Sequence, residues 1–180
     1  MWKNNKGYSL VELIIVIAIM ALLTGTAFFS ISMIFSAGAN ACANSMKEAL
    51  AENKVIAMGK SEAKLEIYRG DDECVYVIQW MKQKKSDAWI PKETDEEGNA
   101  VPEKIGNSRV AVTYRAKDGS MGLLKNAGDS IELCYDRGSG SFSDKSEGCI
   151  LCETIWVKGG SRSYKLTLVE LTGKVTVELE

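Results

Sequence analysis

A chain of 180 residues, 46% apolar and 26% charged, has room for a membrane-length helix and one domain of ordinary size. Its 22 basic and 24 acidic side chains leave a net charge of −2, which argues against a strongly basic nucleic-acid surface. It contains no histidine, so Ser-His-Asp and Cys-His catalysis in their usual form are excluded, as are HExxH zinc sites. No catalytic residue is assigned.

The first element is a helix that opens on Lys6-Gly7-Tyr8-Ser9-Leu10-Val11-Glu12, with an apolar run of 23 residues from Leu13 to Phe35 behind it. A bilayer span needs about 20 apolar residues, and Lys3 and Lys6 orient the amino terminus to the cytoplasm. A secretory signal needs a shorter apolar core. Glu12 is the only charged side chain between Lys6 and Lys47. An ionised carboxylate at the centre of a membrane helix costs about 2.5–3.5 kcal/mol, so an acid at this place calls for a partner. A plain signal anchor accounts for the helix and leaves Glu12 without a reason. A glutamate held at the interface by snorkelling is the other alternative.

The short basic leader, Gly7, an aromatic at Tyr8, Ser9, Leu10 and Glu12 ahead of an apolar helix resemble the class III signal of type IV prepilins and type II secretion pseudopilins. The resemblance covers residues 1–35 and departs from the family in having Tyr8 where Phe is usual. It implies a leader, residues 1–7, removed by a prepilin peptidase after Gly7, and N-methylation of the new terminus at Tyr8. It implies a transmembrane and assembly helix over residues 8–35 and an extracytoplasmic domain over residues 36–180. In the family the glutamate matching Glu12 meets the free amino terminus of a neighbouring subunit during filament assembly. Such a pairing makes a desolvated carboxylate tolerable. Loss of Lys3 and Lys6 with the leader leaves 20 basic against 24 acidic side chains, a mature charge of −4.

No proline precedes Pro91, so the helix is predicted from Tyr8 to about Gly59, a rod of about 75–80 Å at 1.5 Å per residue. Family members often carry a helix-breaking proline in the membrane half; this chain has Gly25 between Thr24 and Thr26 instead. The second half, residues 36–59, is amphipathic. Cys42, Met46, Ala49, Leu50, Ile56 and Ala57 recur at helical spacing, and Lys47, Glu48, Glu52 and Lys54 take the other side.

After Gly59 the period changes to two: Ala63, Leu65 and Ile67 alternate with Lys64, Glu66 and Tyr68. A turn at Gly70-Asp71-Asp72 leads to a strand over Cys74–Met81. Further strands are predicted at Arg109–Arg115, Ser130–Tyr135, Leu151–Val157, Ser163–Leu171 and Lys174–Leu179. Turns rich in Gly, Asp and Ser separate several of them, and Thr172-Gly173 reads as a tight hairpin. One helix followed by antiparallel strands over residues 60–180 is an α+β arrangement, with the apolar helix face covering the sheet. The ladle shape of pilins agrees with this by resemblance, and the closing segment, residues 168–180, is similar to H-type minor pseudopilins.

Of five cysteines, Cys42 falls on the helix. Cys74, Cys134, Cys149 and Cys152 lie in the segment expected outside the cytoplasm, where disulfides form, and allow three pairings. A redox role for Cys149-Ile150-Leu151-Cys152 lacks a βαβ context, and a four-cysteine zinc site would need all four to converge. Buried thiols are the remaining alternative. Residues Ser86 to Asn107 form the longest irregular stretch, centred on Thr94-Asp95-Glu96-Glu97-Gly98-Asn99. Carboxylates beside glycine can bind calcium, but the EF-hand spacing is absent and a solvated hairpin tip is expected. Arg69-Gly70-Asp71 spells an integrin-recognition tripeptide, although Gly-Asp is also what a tight turn selects. No GxxxxGKS loop is present, and no metal, cofactor or small-molecule substrate is assigned.

The resemblance therefore implies a non-enzymatic subunit, a minor one, of a type IV pilus-like or type II secretion filament. Its partners would be other pilin or pseudopilin subunits, the prepilin peptidase, an inner-membrane platform protein and the membrane itself. The alternative is a membrane-anchored extracytoplasmic binding protein such as an adhesin or a DNA-uptake subunit.

Overall fold

The computed structural model describes residues 9–59, 61–82 and 88–180. One helix, α1 (Leu10–Met58), runs for 49 residues, about 74 Å at 1.5 Å per residue. Ser9 sets its start. Its backbone is extended, and its hydroxyl oxygen accepts from the Glu12 amide at 3.2 Å, which satisfies one of the orphan donors of the first turn. The end is set at Gly59, whose amide donates to the Val55 carbonyl at 3.0 Å. Within the apolar half, the Thr24 hydroxyl donates to the Met20 carbonyl at 2.7 Å, so this polar group is satisfied by the helix itself. Among the described residues no helix is long and apolar enough to cross a membrane.

The strands are β1 (Ala63–Arg69), β2 (Val75–Lys82), β3 (Trp89–Pro91), β4 (Glu103–Gly106), β5 (Ala111–Ala116) and β6 (Met121–Leu124), then β7 (Ser130–Tyr135), β8 (Phe142–Ser143), β9 (Cys152–Gly159), β10 (Arg162–Val169) and β11 (Lys174–Leu179). They form two antiparallel sheets rather than one. The first has the order β3-β2-β1-β7-β8, with β4 also on β2; the second has the order β11-β10-β9-β5-β6. Strands β3 and β4 share one edge of β2, Trp80 facing Pro91 and Val75 facing Gly106. The expected strand starting at Ser163 stops at Val169, because a 3-10 turn over Glu170–Thr172 intervenes before β11. Gly173 closes that turn in the left-handed region, at φ 59°, and a Cβ there would stand 1.8 Å from the Gly140 carbonyl oxygen. Only glycine allows so close an approach.

The lower half of α1 covers both sheets. Ala39, Cys42, Met46, Leu50 and Ala57 are fully buried and meet Leu65, Ile67 and Leu133 of the first sheet and Ile155, Val157 and Leu166 of the second in one core. Lys47, Glu48 and Glu52 face outward as their helical phase predicts. The long excursion carrying β3 and β4 is tied down through Glu52, whose carboxylate accepts from Lys92 Nζ and, at 2.8 Å, from Gln79 Nε2.

The two sheets meet at Arg69, the last residue of β1, which is 4% exposed. Its Nε donates to the Leu124 carbonyl of β6 and one terminal nitrogen to the Val110 carbonyl beside β5, both at 2.7 Å. The other terminal nitrogen donates to the Glu73 carbonyl in the β1–β2 turn. The guanidinium thus clasps three separate stretches of backbone. Arg69-Gly70-Asp71 is accordingly no displayed tripeptide, since its arginine is committed to the seam between the sheets.

Candidate functional site

The segment singled out by the sequence is the start of α1. Gly7 and Tyr8, the expected cleavage and methylation positions, lie outside the described residues. The site begins with Ser9, the helix cap, and Glu12 stands in the first helical turn. Ser9-Leu10-Val11-Glu12 has the spacing of a capping box, in which the acid three residues after the cap sits near the positive end of the helix dipole. Among the described residues, no cation pairs with the Glu12 carboxylate. Every described side chain from Leu10 to Gly25 is exposed, including Leu13, Ile14, Ile17 and Leu22. Among the described side chains the apolar rod finds no cover over residues 10–25, and the domain packs on the half of α1 from Phe35 onward.

The cysteines sort into two groups. Cys134, on β7, and Cys149, just before β9, are joined as a disulfide. Cys42, Cys74 and Cys152 are buried free thiols. The four downstream cysteines therefore do not converge, and the zinc arrangement is not formed. Burial pushes the Cys42 and Cys152 thiols up to about 12, which leaves little thiolate near neutral pH. The Cys149–Cys152 spacing holds one bonded sulfur and one inert thiol.

The acidic stretch at residues 94–99 is a turn that satisfies itself. Asp95 Oδ1 accepts from the amides of Asn99 at 2.8 Å and Glu97 at 3.0 Å, and Thr94 bridges Ala100. The Asn99 amide above all holds the Asp95 carboxyl below its ordinary range. No group of three metal-ligating side chains occurs among the described residues. On the neighbouring turn, the Cys74 amide holds Asp72 well below the usual carboxylate range, and Lys104 and the Tyr76 hydroxyl also reach it at 3.1 and 2.9 Å.

Of the buried polar residues, the sequence placed Arg69 only in a turn tripeptide and did not single out Asn53. Arg69 follows Ala63, Leu65 and Ile67 at the inward parity of β1, so the period of two already placed it inside. Asn53 falls between Leu50 and Ala57 on the core stripe of α1, is 0% exposed, and has no partner among the described residues for either side-chain polar atom. Tyr135 is likewise buried, and its hydroxyl has no partner among the described residues.

Residues 2–28 match the prokaryotic N-terminal methylation motif. The match takes in Gly7, Tyr8, Glu12 and the first 16 of the 23 residues of the apolar run. Comparison with curated proteins gives no match, and neither does comparison with solved structures.

Proposed function

We propose that this chain is a structural, non-enzymatic subunit of a type IV pilus-like or type II secretion-like filament, a minor one, made as a membrane-anchored precursor. The observation that carries the reading is the methylation motif over residues 2–28. An amino-terminal rod of exposed apolar side chains, with no cover from its own domain, supports it. In this reading the apolar run from Leu13 to Phe35 spans the membrane with its amino terminus in the cytoplasm, and a prepilin peptidase cuts after Gly7. Tyr8 becomes the methylated terminus. A cytoplasmic ATPase, acting through the platform protein, then drives the subunit into a filament of other pilins or pseudopilins. Glu12 acts at that step: its carboxylate meets the amino terminus of a neighbour in a water-poor helix bundle.

The test is to express wild-type and Glu12→Ala chains together with the cognate machinery and quantify each in sheared filaments by mass spectrometry. Cleavage after Gly7 is expected in both. Incorporation of Glu12→Ala is expected to fall, because removing one member of a buried ion pair costs about 3–5 kcal/mol through the partner left behind. Equal incorporation of the two chains would reduce Glu12 to a helix-capping residue. Retention of Met1 to Lys6 in the wild-type mass would overturn the family reading itself.

A further inference from the structure

Where α1 enters the domain, two loops close directly on it. The first is the β9–β10 tip: a Cβ on Gly159 would stand 2.5 Å from the Phe35 carbonyl oxygen and 2.8 Å from the Ala39 Cβ. The second is the connection from β4 to β5, where a Cβ on Gly38 would meet Asn107 Nδ2 at 3.0 Å. These loops carry Lys158, Arg162 and Arg109, all exposed, and none of the three takes part in an ion pair among the described residues. The Arg109 guanidinium lies over the ring of Phe35, 4.4 Å from its centroid, and Phe35 is the last residue of the apolar run.

We propose that Arg109, Lys158 and Arg162 form a basic collar that binds anionic phospholipid headgroups at the membrane surface from which the helix emerges. The proposal rests on the reading of residues 8–35 as a membrane segment. The helix residues that these two loops touch, 35–39, lie within about 6 Å of rise of the end of the apolar run, inside the Debye length of about 8 Å over which a charged lipid surface acts at physiological salt. Each such cation favours the docked domain by roughly fivefold. Phe35, the last apolar side chain of the run, lies under the Arg109 guanidinium and so ties that cation to the end of the apolar run. Asp71 and Glu73 on the β1–β2 turn oppose the attraction. So does Glu180, whose amide donates to the Ser163 carbonyl at 2.8 Å. Asp72 on the same turn is already tied to Lys104. The collar holds the domain against the lipid until assembly pulls it away.

The test uses the full chain in nanodiscs of phosphatidylcholine alone or with phosphatidylglycerol, read by amide hydrogen exchange. Exchange at residues 107–110 and 158–162 is expected to slow several-fold only where the anionic lipid is present, and to recover in high salt. The variant Arg109→Ser/Lys158→Ser/Arg162→Ser is expected to lose the effect while the amides of β1 and β7 stay protected. If those core amides lose protection, Lys158→Ser/Arg162→Ser alone, which leaves the Phe35 contact intact, is expected to show a smaller loss. Protection that ignores lipid charge in discs the chain has entered overturns the collar and leaves the membrane reading standing. Protection that tracks the number of chains per disc assigns the collar to a neighbouring copy and equally overturns the proposal. Failure to enter discs of either composition overturns both the membrane reading and the collar.

Discussion

Arg69 carries a full charge into the seam between two sheets and is met there by carbonyls of Leu124, Val110 and Glu73. A planar guanidinium with donors in a fixed fork can serve three acceptors at once; an ammonium group is a point charge on a flexible stem. Arg69→Met is therefore expected to cost at least about 3 kcal/mol, since each buried acceptor left unpaired costs about 1–3 kcal/mol. Arg69→Lys is expected to recover only part of that. Urea denaturation of a chain beginning at Ala37 measures both, and a loss below about 1 kcal/mol for Arg69→Met would show that the clasp is incidental. The inward parity of Arg69 was legible from the alternation in Ala63, Leu65 and Ile67. Its partners were not, because Leu124 lies 55 residues and Val110 41 residues away along the chain.

At the scale of elements, the long helix and the long strands follow from local pattern. The apolar stripe from Cys42 to Ala57 and the change of period after Gly59 need no tertiary information. Strands β3, β4, β6 and β8 were not legible, and each is four residues or shorter. Over so few residues alternation carries no signal, and pairing with a longer neighbour decides the conformation. In β6 the deciding contact is Gly122, where a Cβ would stand 2.2 Å from Tyr114 Cζ across the β5–β6 pair. The cysteines behave the same way: their number limited the pairings, and strand placement selected Cys134 with Cys149. That bond closes a sequence separation of 15 residues, a loop size for which chain entropy predicts about 3 kcal/mol of stabilisation. Cys134→Ser/Cys149→Ser is expected to lose an amount of that order in thermal unfolding. Iodoacetamide at pH 8 is expected to label none of Cys42, Cys74 and Cys152 until the chain is denatured, which intact mass reads directly. Labelling of the native chain would contradict their burial.

For the molecule as a whole, pH acts through its turns. The Cys74, Asn99 and Asn126 amides are the largest influences holding Asp72, Asp95 and Asp129 below their ordinary carboxylate range. A carboxylate whose folded value lies below its unfolded value stabilises the fold above the unfolded value, and that contribution is lost as pH falls through the folded value. The melting temperature of the chain beginning at Ala37 is expected to be level from pH 7 to 5 and to fall below about pH 4. Asp129→Asn is expected to melt lower at pH 7 and to lose less on acidification. A melting temperature indifferent to acid would show that these turns contribute nothing.

The helix with its apolar start, the seven longer strands and the methylation motif around Gly7 to Glu12 were legible in the sequence alone. They depend on residue type and spacing over one or two helical turns, which no distant contact alters. Tertiary structure decided the division of the strands into two sheets, the choice of Cys134 and Cys149 as partners, and the commitment of Arg69 to the seam. It also set Arg109 over Phe35 and laid the β9–β10 tip, which carries Lys158 and Arg162, against the same turn of α1. Each of these joins residues far apart in the chain, and only the packing of both sheets on one helix brings them within reach.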